Sequence, residues 1–468
     1  MSVPHRSLRA LAAALLALTA CKGNEPTALV RPPALEYVLV DSVTVGARLR
    51  IRVHEPTTVQ VRYDAADAAP ALAVTTTLSS SDSMVVLTRL VRGQTYQYSA
   101  AAVAADGSLG PATTGQFTTP SLPADLASLR FDALGDATEP LLLLEVRASS
   151  GFNGFVAVDE RGEIVWYFRT VGAAQGSTRR ANGNFVLNDL GAGLREVTPN
   201  GDVVRRYDYT GDVPAAHHDV AATAANTVLF IAHDVRTQPG GGAIAGEAVY
   251  EWTPETGAVA KRWTAWDWYD PAVDWGPLSY DSDWLHANSL AIGPHGNVIL
   301  SFNFISQVIS VAPDWSKLEW RLGGRNSDFA VDTDAVFSGQ HTASMPAEGH
   351  VLMFDNGRAR PDGSAFSRGL ELQLDSAQKR ARTVWEFRPA ASIYAPYLGS
   401  ARRLENGNTV VFFGLPSGPF GGLDATGPVS AYEVTPARAI VWNLDVGNAL
   451  SAYRGTPLSA IGAEKIVP

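Results

Sequence analysis

Three histidines recur in similar settings along the chain. They are His218 in Ala216-His217-His218-Asp219, His286 in Trp284-Leu285-His286-Ala287-Asn288-Ser289, and His341 in Gly339-Gln340-His341-Thr342-Ala343. Each stands shortly before an apolar, strand-like run, and each run is followed by a Trp-containing strand. If the surrounding segments are copies of one unit, the imidazoles occupy equivalent places in neighbouring units. A closed ring of units turns equivalent places towards one another. Converging imidazoles suit two chemistries. Three neutral histidines with an open coordination position make a zinc-type site. Alternatively, one imidazole attacks while the others, with arginine or amide donors, hold the oxygens of a tetrahedral anion. The sequence has no His-x-His or His-Glu-x-x-His spacing to favour the metal.

The repeat is legible beyond the histidines. Six strands have one character: Glu163–Phe168, Asp202–Tyr207, Ala258–Trp263, Lys317–Leu322, Arg382–Phe387 and Ala439–Leu444. A turn followed by an apolar strand recurs as Asn182-Gly183-Asn184, Ala225-Asn226-Thr227, His295-Gly296-Asn297, Glu348-Gly349-His350 and Asn406-Gly407-Asn408, with Pro140–Leu144 as a degenerate copy. The X-Gly-Asn form is a hairpin turn that needs positive φ. Each unit therefore reads as an antiparallel sheet of about four strands, with about 40 to 70 residues per unit. Such sheets cannot cover both faces alone, and a closed ring does it for all of them. The expected architecture is all-β, a six-bladed β-propeller over residues 122–468, with an open solenoid as the alternative. Aligned on the turns, the places facing the channel mouth are Ser177 or Thr178, His218, His286, His341 and Ser400. The other end of the same hairpins carries His233, Asn303, Asp355 and Asn356.

The remaining histidines read as structural. His217 neighbours His218, and adjacent strand residues point to opposite faces. His295 and His350 fall in turns and are expected at the surface, and His54 belongs to an N-terminal domain.

That domain spans residues 34–121. Alternating runs such as Leu49-Arg50-Ile51-Arg52-Val53 and Val59-Gln60-Val61-Arg62-Tyr63 indicate a β-sandwich. The stretch Gly93–Tyr98, with Phe117-Thr118-Thr119, resembles a fibronectin type III domain, which implies a spacer or packing role. Before it, residues 1–20 read as an export signal: His5, Arg6 and Arg9 precede the short apolar run Leu11–Leu18. The run ends in Leu18-Thr19-Ala20-Cys21, which resembles the lipobox of bacterial lipoproteins. Cys21, the only cysteine, is thus expected to carry a lipid anchor, and residues 21–33 form a tether. With Lys22 next, the expected location is the outer membrane, on its periplasmic or extracellular face. The net charge of −10 is spread without a basic tract, which argues against nucleic acid as a partner.

Residues from about 124 to 450 resemble the bacterial arylsulfate sulfotransferase family. The likeness rests on Trp284–Ser289, Trp320-Arg321-Leu322-Gly323-Gly324, Gln340-His341-Thr342-Ala343, Phe354-Asp355-Asn356-Gly357 and Leu404–Thr409. It implies a six-bladed propeller after a β-sandwich. The implied activity is transfer of a sulfuryl group from a phenolic sulfate ester to a phenol, with no cofactor and no nucleotide sulfate donor. His341 would attack sulfur and become sulfated, with His286 and His218 as the other active-site histidines. Asn303, Asp355, Asn356 and Arg358 are the expected substrate-binding residues. The chain departs from the family pattern at Asn303, where the resemblance implies an arginine; Arg358 or Arg360 is placed to replace it. The departure keeps a second expectation open, a non-catalytic binding propeller, beside a third, a metal-dependent hydrolase on the same histidines. A homodimer through the sandwich domain is a further possibility.

Overall fold

Alternation in the sequence becomes alternation of burial. Leu49, Ile51, Val59, Val61 and Tyr63 are fully buried, whereas Arg50, Arg52 and Arg62 between them face outwards. The computed structural model describes residues 35–467 except 36, 44, 66–67, 80–81, 238–240, 281–282 and 417–424. The export signal, Cys21 and the tether lie outside the described residues.

The N-terminal domain is two facing sheets. One is ordered Tyr37–Val43, Gly46–Arg52, Asp82–Leu87; the other is ordered Ala68–Leu78, Thr57–Ala65, Thr95–Ala102, Thr113–Thr118. Their inner faces share one apolar core.

The rest of the described chain forms six sheets of four or five strands. Their innermost strands are Leu450–Leu458, Ala174–Arg179, Ala216–Ala222, Ala287–Ile292, His341–Ala347 and Ser400–Arg403, in blades one to six. Each innermost strand contacts the next, and the sixth returns to the first, so the sheets close a propeller ring. The Trp-type strands are the fourth strands of their blades. The turns join the first and second strands of a blade rather than opening it, because the innermost strand comes before the turn. Positive φ occurs at Gly183, Asn226, Gly296, Gly349 and Gly407, as that turn chemistry demands.

Two clasps close the ring. Leu450–Leu458 completes blade one by pairing with Leu141–Ala148, and Asp132–Gly135 adds to the outer edge of blade six. The chain then leaves the propeller, and Lys465–Ile466 pairs with Ala68–Leu78 of the sandwich. The propeller expected over 122–468 therefore gives up its last strand to the other domain. Val45 and Val91 of the sandwich pack with Leu141, Phe155 and Ile461, and Arg48 pairs with Asp202 at 2.5 Å.

The closing strand also reaches across the channel. Arg454 of blade one donates to Asp219 of blade three at 2.5 Å, both side chains buried, and the Tyr453 hydroxyl donates to the Asn288 carbonyl of blade four at 2.7 Å. Removing one partner of a buried ion pair strands the other charge and costs about 3–5 kcal/mol. Asp219→Ala is expected to lower the apparent Tm in calorimetry by several degrees, and adding Arg454→Met to restore only part of the loss. The Leu290 N–H that Asp219 also accepts stays unpaired in both variants.

Candidate active site

A shared backbone device aims the histidines. The innermost strands of blades two to five each carry a register irregularity at the channel mouth, between Ala174 and Ser177, His217 and Val220, Ala287 and Ser289, and His341 and Ser344. Left-handed φ falls at or just before these points: 83° at Gly176, 60° at His218, 54° at His286 and 56° at Thr342. Glycine takes this conformation freely in blade two, where an added Cβ would sit 2.9 Å from the Asp219 Cα. The histidines and the threonine are held there against a cost of about 1–3 kcal/mol each. A bulge of this kind turns a side chain off the sheet face. Here it brings His218, His286 and His341 to one cavity of about 320 Å³.

Each imidazole is anchored through Nδ1. Asn356 Oδ1 lies 2.7 Å from His341 Nδ1, and the same amide donates through Nδ2 to the carbonyls of Ala395 at 2.7 Å and Leu398 at 2.8 Å. Two carbonyls on the nitrogen fix the amide's orientation, so Oδ1 accepts and His341 carries its proton on Nδ1. Its Nε2 is then a bare lone pair. Burial pushes the His341 pKa down to about 3, so the ring is neutral at physiological pH. His286 Nδ1 lies 2.5 Å from Asp283 Oδ2, and its ring stacks on Phe304 at 4.2 Å. His218 Nδ1 lies 2.7 Å from His217 Nδ1, and burial holds His218 well below the usual imidazole range.

The His218 ring meets His286 edge to face at 4.6 Å, and Tyr453 stands between His218 and His341 at 5.7 Å and 5.9 Å. Aromatic walls come from Phe304, Tyr280, Tyr397 and Tyr453, with Gln175, Asn303, Arg358 and Leu398 completing the lining. The cavity therefore offers flat apolar surface beside three imidazoles, those of His218 and His341 held neutral by burial, and one guanidinium. Arg358 lies over the Tyr397 ring at 4.0 Å and donates to its hydroxyl at 3.0 Å.

The other expected site residues divide. Asn303 lines the cavity, but its amide nitrogen donates to Gly339 O at 2.7 Å, and its Oδ1 lies 3.4 Å from Arg358 Nη1. It braces the loop before His341 and touches the guanidinium. Asn356 likewise holds His341 rather than lining the cavity. Asp355 does not reach the cavity: it is buried between Arg360 at 2.5 Å and Arg368 at 2.9 Å. Arg360 is spent on that pair, so Arg358 is the arginine at the site. Ser177 bonds Glu145, Thr178 accepts from Ala222 N, and Ser400 bonds Gly455. Gln175, inside the bulge between Ala174 and Ser177, is the blade-two residue at the cavity, because the one extra residue there turns it off the sheet face.

Two histidine readings are corrected. His217 does not point away from His218; the bulge and the left-handed φ bring both rings together. His350 is half-buried in the strand His350–Asp355 and pairs with Glu371 at 2.8 Å, whereas His295 is exposed. Sequence reasoning missed Tyr453, which belongs to no repeat until the ring closes. It also missed Asp283, in the segment before blade four, and Glu247, in the extended third strand of blade three.

Among the described residues, the ligand-type group with all atoms within 4.8 Å of one another is His217, His233 and Glu247, not the three cavity histidines. His218, His286 and His341 are spread too widely to ligate one ion together. His217 and His233 stack face to face at 4.2 Å, whereas two imidazoles on one ion present their edges.

A sequence model of the family described as arylsulfotransferase (ASST) matches residues 134–426. No curated protein matches the sequence. Among solved structures, the chain is similar to a protein of unknown function from Bacteroides caccae, at 12% identity and TM-score 0.44, covering 69% of this chain and all of that one. It is similar also to a putative gluconolactonase (10%, TM-score 0.37, 60% of this chain and 80% of that one) and to Saccharomyces cerevisiae Sqt1 (10%, TM-score 0.35, 69% and 86%). At these scores the likeness says nothing of chemistry. The anchored tautomer is open to direct measurement. In histidine-labelled protein, the His341 nitrogen signals are expected to show the neutral Nδ1–H form and to stay unchanged from pH 8 to pH 5. A midpoint near 6.5 would contradict the burial argument.

Proposed function

The chain belongs to the arylsulfotransferase (ASST) family, and we propose that it moves a sulfuryl group from a phenolic sulfate ester to a phenol through a sulfated His341. The observation that carries this reading is the Asn356 anchor, which leaves a neutral His341 with its lone pair at the cavity. Nε2 attacks sulfur, the bond from sulfur to the aryl oxygen breaks, and the phenolate departs with a proton from a neighbouring imidazole. The acceptor phenol then attacks the sulfated histidine, returns that proton, and releases Nε2. His286 and His218 donate to the sulfuryl oxygens or to the departing oxygen. The aryl ring lies against Phe304 and the tyrosines. No metal or cofactor enters these steps.

Arg358 answers the departure at position 303. A charged donor to a developing oxyanion contributes about 10²–10³ in rate. Its guanidinium stands at the cavity beside Asn303, so the loss of an arginine from one strand is made up from the loop after Gly357. This weakens the reading of the chain as a binding propeller without catalysis. Lipid anchoring through Cys21 remains part of the proposal, and it places the enzyme at the outer membrane.

Purified protein with 4-nitrophenyl sulfate is expected to release nitrophenolate only when phenol is supplied, with ping-pong kinetics. His341→Ala should abolish release, by about 10³-fold or more, and Arg358→Met should lower kcat by about 10²–10³-fold. No release from any aryl sulfate would leave the binding reading standing. Cys21→Ser should free the protein from membranes.

A further inference from the structure

Behind His218 runs a chain of proton-carrying groups that ends on a buried acid. We propose that Glu247 and His217 form a relay that supplies, through His218, the proton taken by the departing phenolate and recovers it from the acceptor phenol. The proposal rests on the sulfuryl-transfer reading above. Glu247 Oε2 lies 3.0 Å from His217 Nε2, and His217 Nδ1 lies 2.7 Å from His218 Nδ1. His218 is the end of the chain that lines the cavity.

Two facing Nδ1 atoms bond only when one of them carries a hydrogen, so the protons on the two rings are coupled. In one state the Glu247 carboxylic acid donates to His217 Nε2, His217 Nδ1–H donates to His218 Nδ1, and His218 presents Nε2–H to the cavity. When the phenolate takes that proton, each bond behind it shifts by one place. His217 then holds its hydrogen on Nε2, His218 holds its hydrogen on Nδ1, and Glu247 is a carboxylate. One proton has left and one negative charge remains on Glu247. The acceptor phenol reverses the shift when its oxygen attacks sulfur, and Glu247 is an acid again. Neither imidazole becomes a cation at any stage.

The surroundings favour this neutral chain. Glu247 is buried, its other oxygen accepts from the Ala287 N–H at 3.0 Å, and the groups that face it are His217, His233 at 3.6 Å, Asp283 and His286. None of these is a lysine or arginine. Burial pushes the Glu247 pKa up to about 8, so it holds its proton at neutral pH, and His217 is pushed down to about 3. The strained bulge is what makes the line possible, since regular strand geometry would send the two rings to opposite faces.

The relay matters only when the leaving oxygen needs a proton, and that sets the test. In ping-pong turnover kcat/KM for the donor reports the first half-reaction alone. It is to be measured for 4-nitrophenyl sulfate and for 4-methylphenyl sulfate, with phenol as acceptor, on the full chain and on Glu247→Gln. The glutamine can still donate to His217 but cannot give up a proton. The expected result is a loss of about a hundredfold or more with the methylphenyl donor and little change with the nitrophenyl donor, whose phenolate leaves unprotonated. His217→Phe, compared at matched thermal stability, should show the same contrast. Equal loss with both donors, or no loss with either, overturns the relay and leaves sulfuryl transfer intact. So does a stoichiometric metal ion that is lost in Glu247→Gln, because it would occupy the His217 Nε2 lone pair. A wild-type chain inactive on both donors overturns the transfer reading, and the relay with it.

Discussion

The site depends on closure of the ring by Leu450–Leu458. That strand gives blade one its innermost strand, and two of its side chains cross the channel. Arg454 meets Asp219 of blade three, and Tyr453 meets the backbone of blade four. The strand that carries His218 and the strand that follows His286 are thus both tied to the ring-closing strand. The same residues also set the polarity of the channel. Arg454 and Asp219 are paired behind the cavity lining, and burial, more than the Arg454 charge, sets the state of the His341 imidazole.

The histidines share a logic although their partners differ. Each gives its Nδ1 to a fixed neighbour, an amide at His341, a carboxylate at His286 and another imidazole at His218. The neighbour sets what the ring can do. An amide oxygen fixes one tautomer and leaves a nucleophile. A second imidazole leaves the tautomer free to change. A carboxylate favours a ring that donates. Three copies of one residue type thus receive different tasks from groups one shell further out.

Much of the fold was legible because the blades repeat. The turns, the Trp-type strands and the three histidines announce a ring of like units, and equivalent positions in such a ring do meet. The site was less legible where local geometry overrides period two. His217 was assigned to the wrong face because a bulge is not visible in alternation, and Gln175 was displaced by Ser177 for the same reason. Asp355 stands beside a functional asparagine in sequence, yet two buried arginines claim it. Arg358 and Arg360 are two residues apart and equal in type. Only the stacking of one on Tyr397 and the pairing of the other with Asp355 separates them. Tyr453 carries no signal at all until the ring is closed.

The pairing of Lys465–Ile466 with the sandwich has a consequence for how the chain matures. A chain synthesised from its N-terminus has the sandwich strands early, but one edge of that sheet stays open until residues beyond 464 appear. The propeller waits on almost the same stretch, since blade one lacks its inner strand until 450–458 is made. Exposed edges of both domains are therefore present together until that stretch is made, and they are covered within one short segment. One short segment, residues 450–466, thus seals two domains and completes the lining of the histidine site in the same event.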